Sequence, residues 1–433
     1  MKLLIKRGTL ISPDQKKIFS ADVLIADGKI AVLGNNLETD GAVIIDADGK
    51  LVLPGLIDLH AHLREPGFED SETIAAGTMA AARGGFTSLA CMPNTNPVAD
   101  NSSVINYILN KARQEGRVNV FPIGAITVGS KGEELAEMAG LKEAGAVAFS
   151  DDGRCVSNAV IMFRAMQYAR MIDMPVIAHC EDTSLSAQGS MHEGYYSTLL
   201  GLKGIPAAAE EVIIARDLIL AKETGCRLHI AHVSTAGSVQ LIRQAKAWGL
   251  KVTAEATPHH FTLTDREVTG YNTNTKVNPP LRTQEDLDAV RQGLRDGTID
   301  VIATDHAPHA REKKEVEYEN APFGISGLET AVGLVWTELV NTGILSPLDA
   351  VEKMTINPAR ILGISKGVLA EGADADLTVI DPARTEKVDP ARFVSKGRNT
   401  PFAGRTLTGI PVLTIVGGKI VFEYAGRVFS KTT

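Results

Sequence analysis

From the N-terminus to about residue 55, apolar and polar positions alternate in short runs broken by turns, the period-2 pattern of half-buried strands. Val23-Leu24-Ile25 and Val43-Ile44-Ile45 are strand-like, and Asp27-Gly28-Lys29 and Asp48-Gly49-Lys50 are turn signals. The tail repeats the pattern. Ala375–Asp381 reads as a strand and Val416–Phe422 as a hairpin. Two β-rich ends around a different middle predict one small β-sandwich built from both termini. In the middle, short apolar runs alternate with helical stretches. The strand candidates are Leu56–His60, Phe86–Cys91, Val118–Ile126, Ala146–Phe149, Pro175–His179, Arg227–His232, Lys251–Glu255 and Ile299–Thr304. Helical patterns between them include Ser71–Arg83, Ser102–Glu115, Asn158–Met171, Ala207–Thr224 and Ser238–Trp248.

Eight strand–helix units in series predict an α/β fold, a TIM (β/α)8 barrel. The expected layout is a first β-sandwich part over 1–54, the barrel over 55–364 and a second sandwich part over 365–433. An open doubly wound sheet would want a Gly-rich phosphate turn after the first strand, and none stands there.

Composition narrows the function classes. At 433 residues with 44% hydrophobic and 22% charged, the chain can bury a large core. Its net charge of -8 and lack of a basic tract argue against nucleic acid as a partner. No stretch approaches the roughly 20 apolar residues that span a bilayer. Met1–Gly8 does not read as a signal peptide, and Cys91, Cys155, Cys180 and Cys226 lack paired spacing. A cytoplasmic, reduced setting is therefore expected, with the cysteines as small buried apolar residues. The polar segment Ala310–Asn320 reads as a solvated loop, with a lid over the site as the alternative.

In such a barrel the chemistry sits at the C-terminal ends of the strands. The first strand ends in Asp58-Leu59-His60-Ala61-His62. His60 and His62 are two apart, so on extended chain both imidazoles point to one side and can chelate one ion. The fourth strand ends in Phe149-Ser150-Asp151-Asp152-Gly153, the fifth in His179, the sixth in His232, and the eighth runs into Asp305. Four histidines and two aspartates thus gather on one rim. Such a set without cysteine favours Zn²⁺, with Mn²⁺, Co²⁺ and Fe²⁺ as alternatives. Parity does not choose between Asp151 and Asp152. Arg64 lies two residues beyond His62, on the same side, and its planar fork suits a carboxylate. His229, three before His232, is expected to face away, against a helix. His259 and His260 read as structural, His306 lies outside the metal shell, and the pattern does not place His192.

Several motifs together carry a resemblance. Leu56–Gly67 is similar to the first metal motif of the amidohydrolase superfamily in its class I bacterial dihydroorotase form. Met92-Pro93-Asn94-Thr95, Phe149–Gly153, Val277–Arg282, Ala303–His309 and Pro322-Phe323-Gly324 resemble motifs of the same family. The resemblance implies two Zn²⁺, with His60, His62 and Asp305 at the first, His179 and His232 at the second, and Asp152 between them. It leaves Asp151 as a structural residue. It makes Asp305 the catalytic proton carrier and matches His62, Arg64, Asn94, Asn278, His309, Phe323 and Gly324 to substrate-binding positions. Asn94 and Asn278 would donate amide hydrogen bonds to the substrate carboxylate. Hydantoinases and their kin bridge their metals with a carbamylated lysine after the fourth strand, but Ala146–Ser157 contains no lysine. The implied activity is reversible zinc-dependent cyclisation of N-carbamoyl-L-aspartate to L-dihydroorotate in pyrimidine (UMP) biosynthesis. The implied partners are a small-molecule substrate, a second copy in a homodimer and, as a candidate, aspartate transcarbamoylase.

Overall fold

The computed structural model describes residues 2–38 and 40–424. Leu56–Ala61, Phe86–Cys91 and Asn119–Pro122 are parallel neighbours, and Val176–Ala178, Leu228–Ile230, Val252–Ala256 and Val301–Ile302 form a second parallel run. Two seams join the runs into a ring. Phe149 bridges Gly124 on one side and Val176 on the other, and His306 bridges Ala61. The fourth expected strand, Ala146–Phe149, thus contracts to a single bridging residue. Its alanines and preceding Gly145 have little strand propensity, so neighbouring strands hold it: Val147 N–H donates to Pro122 O at 3.0 Å and Phe149 N–H to Pro175 O at 3.1 Å.

All six residues of Leu56–Ala61 and of Phe86–Cys91 are buried, as expected of parallel strands covered on both faces. Leu59, Ala90, Ile123, Ile177, Ala231 and Val301 pack in one cluster, and a larger cluster joins the strands to the surrounding helices. Polar residues start those helices. Thr73 caps Ile74–Arg83, Asn101 caps Ser102–Glu115, Asn158 caps Ala159–Met171 and Thr235 caps Ala236–Ala247, each satisfying backbone donors that the helix leaves free.

Both termini build one eight-stranded sheet. Leu51–Pro54 pairs with Lys2–Ser12 on one side and with Leu377–Lys387 on the other. The expected hairpin forms between Thr406–Val416 and Lys419–Glu423, turning at Gly417-Gly418. Leu3, Ile5, Val23, Ile25, Val379 and Leu413 belong to a core separate from the barrel's. Among the described residues no helix is long and apolar enough to cross a membrane.

Candidate metal and active site

The first barrel strand delivers His60 and His62 to the rim. His60 is fully buried, and its Nδ1 lies 2.6 Å from Glu255 Oε1. Glu255 is an acceptor, so His60 Nδ1 carries a proton and Nε2 is the ring nitrogen that faces the site. That Nε2 lies 3.3 Å from Asp152 Oδ1 and 3.6 Å from Asp305 Oδ1. His62 turns Nδ1 to Asn94 Oδ1 at 2.9 Å and Nε2 to Asp305 Oδ1 at 3.0 Å. Opposite them, His179 Nδ1 and His232 Nε2 stand 2.9 Å apart, at 3.6 and 3.5 Å from Asp152 Oδ1.

Asp152 is therefore the point where both histidine pairs meet. Asp151 is engaged elsewhere: its carboxylate accepts from Ile126 N–H at 2.8 Å, Thr127 N–H at 3.1 Å and the Thr127 hydroxyl. Asp305 follows Thr304, whose N–H and hydroxyl donate to the buried Asp58 carboxylate at 2.9 and 2.5 Å. The backbone at Asp305 and His232 is left-handed, with φ of 46° and 34°, a strained conformation that clusters at functional sites.

The chemistry of this donor set fits a cation. His60 Nε2 and Asp152 Oδ1 are buried with no hydrogen-bond partner, a costly arrangement unless something else binds them. His60, Asp152 and His232 form one compact group of ligand atoms, and His60, His62 and Asp305 another. Burial works against charge on His60, yet Asp152, Glu255 and Asp305 hold its pKa well above the ordinary value. Burial equally opposes charge on Asp152 and Asp305, but the histidines hold both carboxylates below their usual range.

A cavity of about 200 Å³ opens over these side chains. His62, Arg64, Asn94, Asp152, His179 and His232 line one part of it, and Asn278, Asp305, Phe323 and Gly324 another. No lysine lines it. Every residue expected to bind metal or substrate lies in this wall except two. His60 sits beneath it, and His309 stands behind Phe323, with Nε2 2.7 Å from the Phe323 carbonyl. Burial and the nearby Arg64 push the His309 pKa down to about 3, so its ring is neutral and donates to that carbonyl. Arg64 reaches the cavity from a turn with φ of 62°, not by continued strand alternation. Gly324, at φ +121, leaves no room for a side chain, since a Cβ would stand 2.8 Å from Ala307 O.

Some residues fall otherwise than their sequence positions suggested. His229 does not pack against a helix; it is buried between strands, with Nδ1 2.8 Å from Thr253 Oγ1 and Nε2 3.1 Å from Glu255 Oε2. The strand ends at Ile230, so counting by alternation from His232 fails. His192 is buried beside Arg282, 3.2 Å from Nη1. His306 stays out of the ligand set, its Nδ1 accepting from Gly327 N–H at 3.1 Å. Within Ala310–Asn320, Lys314 and Tyr318 are buried. Lys314 donates to Pro322 O and Gly324 O, and Lys276 to Tyr318 O and Glu319 O. The segment is thus pinned to the wall of the site and only partly solvated. Sequence reasoning missed Glu255, Glu181 and Asn399. Asn399 arrives from the C-terminal part, where it accepts from His309 N–H at 3.1 Å and donates to Gly324 O at 3.0 Å.

Comparison with known proteins agrees with this geometry. A family model described as Dihydro-orotase-like matches residues 49–238, and one described as Amidohydrolase family matches residues 205–422. The chain is 69% identical over 423 residues to the dihydroorotase of Pelotomaculum thermopropionicum, covering 98% of this chain and 99% of that protein. It is 55% identical over 428 residues to the dihydroorotase of Syntrophus aciditrophicus, covering 98% and 100%. Among solved structures, an L-hydantoinase (dihydropyrimidinase) from Arthrobacter aurescens superposes with a TM-score of 0.88 at 30% identity, over 99% of this chain and 97% of that one. By family model, relatedness and fold, the chain belongs to the dihydroorotase family of amidohydrolases.

Proposed function

We propose that the protein is a class I dihydroorotase that interconverts N-carbamoyl-L-aspartate and L-dihydroorotate in de novo pyrimidine biosynthesis, with two zinc ions held on either side of Asp152. The observation that carries this reading is the pairing of a carboxylate between the two histidine pairs with Arg64 in the wall of the same cavity. The hydantoinase-like alternative would want a lysine at the metal bridge, and none lines the site.

His60, His62 and Asp305 would hold one cation, His179 and His232 the other. A bound divalent cation polarises the amide carbonyl and lets water lose its proton near neutral pH. The remaining steps belong to the chain. Arg64 takes the substrate carboxylate, with Asn94 Nδ2 as a second donor, because His62 occupies Asn94 Oδ1. The backbone at Phe323-Gly324 forms the wall against the ring. Asp305, anionic in this setting, takes the proton of the attacking water and hands it to the departing ring nitrogen. In the biosynthetic direction the same transfers run backwards.

The test is turnover of L-dihydroorotate beside dihydrouracil, which lacks the carboxylate, in the intact protein and in Arg64→Met. Arg64→Met should raise KM for dihydroorotate strongly and change any dihydrouracil turnover little. Equal losses on both substrates would remove Arg64 as the carboxylate receptor, and no dihydroorotate turnover at all would remove the reading.

A further inference from the structure

Two asparagines face the cavity, and their surroundings turn them in opposite senses. At Asn94 the direction follows from His62. With Nε2 spending its lone pair on the proposed first cation, His62 Nδ1 carries the proton and donates to Asn94 Oδ1 at 2.9 Å. Asn94 therefore offers its NH₂ to the cavity. At Asn278 the chain of hydrogen bonds starts from the other pair. His179 Nε2 lies 3.2 Å from Glu181 Oε2, which only accepts, so Nε2 carries the proton and Nδ1 is the atom turned toward Asp152 and His232. The same Glu181 oxygen lies 2.9 Å from Asn278 Nδ2. A carboxylate only accepts, so Asn278 presents its NH₂ to Glu181, which leaves its carbonyl as the group it can offer to the cavity it lines.

We propose that Glu181 is a positioning residue that sets the polarity of the pocket, turning Asn278 carbonyl-first so that it accepts a ring N–H of a cyclic ureide. The assignment rests on the dihydroorotase reading for the identity of the substrate. It revises the role that resemblance implied for Asn278, since an acceptor repels a carboxylate. Asn94 and Arg64 keep the carboxylate, and Asn278 reads the ring. Glu181 is suited to couple the two tasks because, with its side chain 18% exposed, it touches both His179 and the cavity-lining Asn278. One carboxylate then orients both a metal-facing imidazole and a substrate-facing amide.

The experiment compares the zinc-loaded full chain with Glu181→Gln, Glu181→Leu and Asn278→Ala. The probes are L-dihydroorotate and two near-isosteric analogues in which each ring N–H in turn is replaced by oxygen, measured by competition. Wild type should bind one analogue about tenfold or more weakly than the parent, because two acceptors then face each other. Glu181→Gln, whose Oε1 can still accept from both partners, should keep most of that discrimination. Glu181→Leu and Asn278→Ala should lose it. A second readout needs no turnover. Zinc affinity, followed by competition with a chromophoric chelator, should fall about 10- to 100-fold in Glu181→Leu, the usual effect of removing a histidine's outer partner, and little in Glu181→Gln. Undiminished discrimination in Glu181→Leu or Asn278→Ala, or unchanged zinc affinity in Glu181→Leu, would overturn the assignment while leaving the dihydroorotase reading intact. Absence of dihydroorotate turnover in the wild type would sink both.

Discussion

The two histidine pairs that meet at Asp152 are held in different ways. His60 is oriented from within the barrel by Glu255, which is itself fully buried and also receives His229 Nε2 at 3.1 Å and the His232 N–H at 3.2 Å. His179 instead leans on the partly exposed Glu181, and His232 Nδ1 is buried with no partner. One side of the site is thus an extension of the core, set before any ligand arrives. The other is tied to groups that also face the substrate. Metal affinity on the first side should behave like a folding property, and on the second like a binding property.

Removing the metals tests both sides at once and should have the largest effect. Exhaustive chelation should abolish turnover, and zinc should restore it equally in bicarbonate-free and bicarbonate-rich buffer, because the chain itself supplies the Asp152 carboxylate. Bicarbonate-dependent recovery would point to a carbamylated lysine and break the picture of Asp152 as the meeting point. Next in size, Asp305→Asn should lower kcat by roughly 10²- to 10⁴-fold with the fold intact. Metal content must be measured alongside, since the same residue faces His60 and His62.

The contrast between the two carboxylates is read most directly by stability. Glu255→Leu strands the His60 and His229 donors in the core and should cost about 3–5 kcal/mol in chemical denaturation. Glu181→Leu, at a partly exposed edge, should cost about 1 kcal/mol or less. Equal costs would mean that both sides are built alike.

The smallest effect concerns the segment that walls the cavity. Burial, with Lys276 beside it, pushes the Lys314 pKa down to about 7 from an ordinary value of 10.5. Between those two values the unfolded chain binds the extra proton, so this group makes the fold more stable as pH rises. From pH 7 to 9 the wild type should gain about 1–2 kcal/mol relative to Lys314→Met. Thermal unfolding at both pH values would show it, and parallel curves would remove Lys314 from that role.

Much of this was legible in the chain. The period-2 ends and the alternating middle marked the sheet and the barrel, because burial on one face or both leaves its signature in the order of residues. The gathering of these histidines and aspartates was legible too, since ring closure puts every strand's C-terminal end on one rim whatever the details of the strands. The supports were not. Glu255 meets His60 across 195 positions, and Asp58 meets Thr304 across 246. No local pattern encodes such pairings, which exist only once the barrel closes. Alternation also misleads where the backbone stops being extended, as at Arg64, His232 and Asp305 with their positive φ. Tertiary structure supplied what alternation could not at Asp151 and Asp152, because only the folded chain gives Asp151 the donors of Ile126 and Thr127 and sets Asp152 among the histidines. It also decided which atom each asparagine turns to the pocket, because an amide's direction is fixed by partners that the sequence keeps far apart.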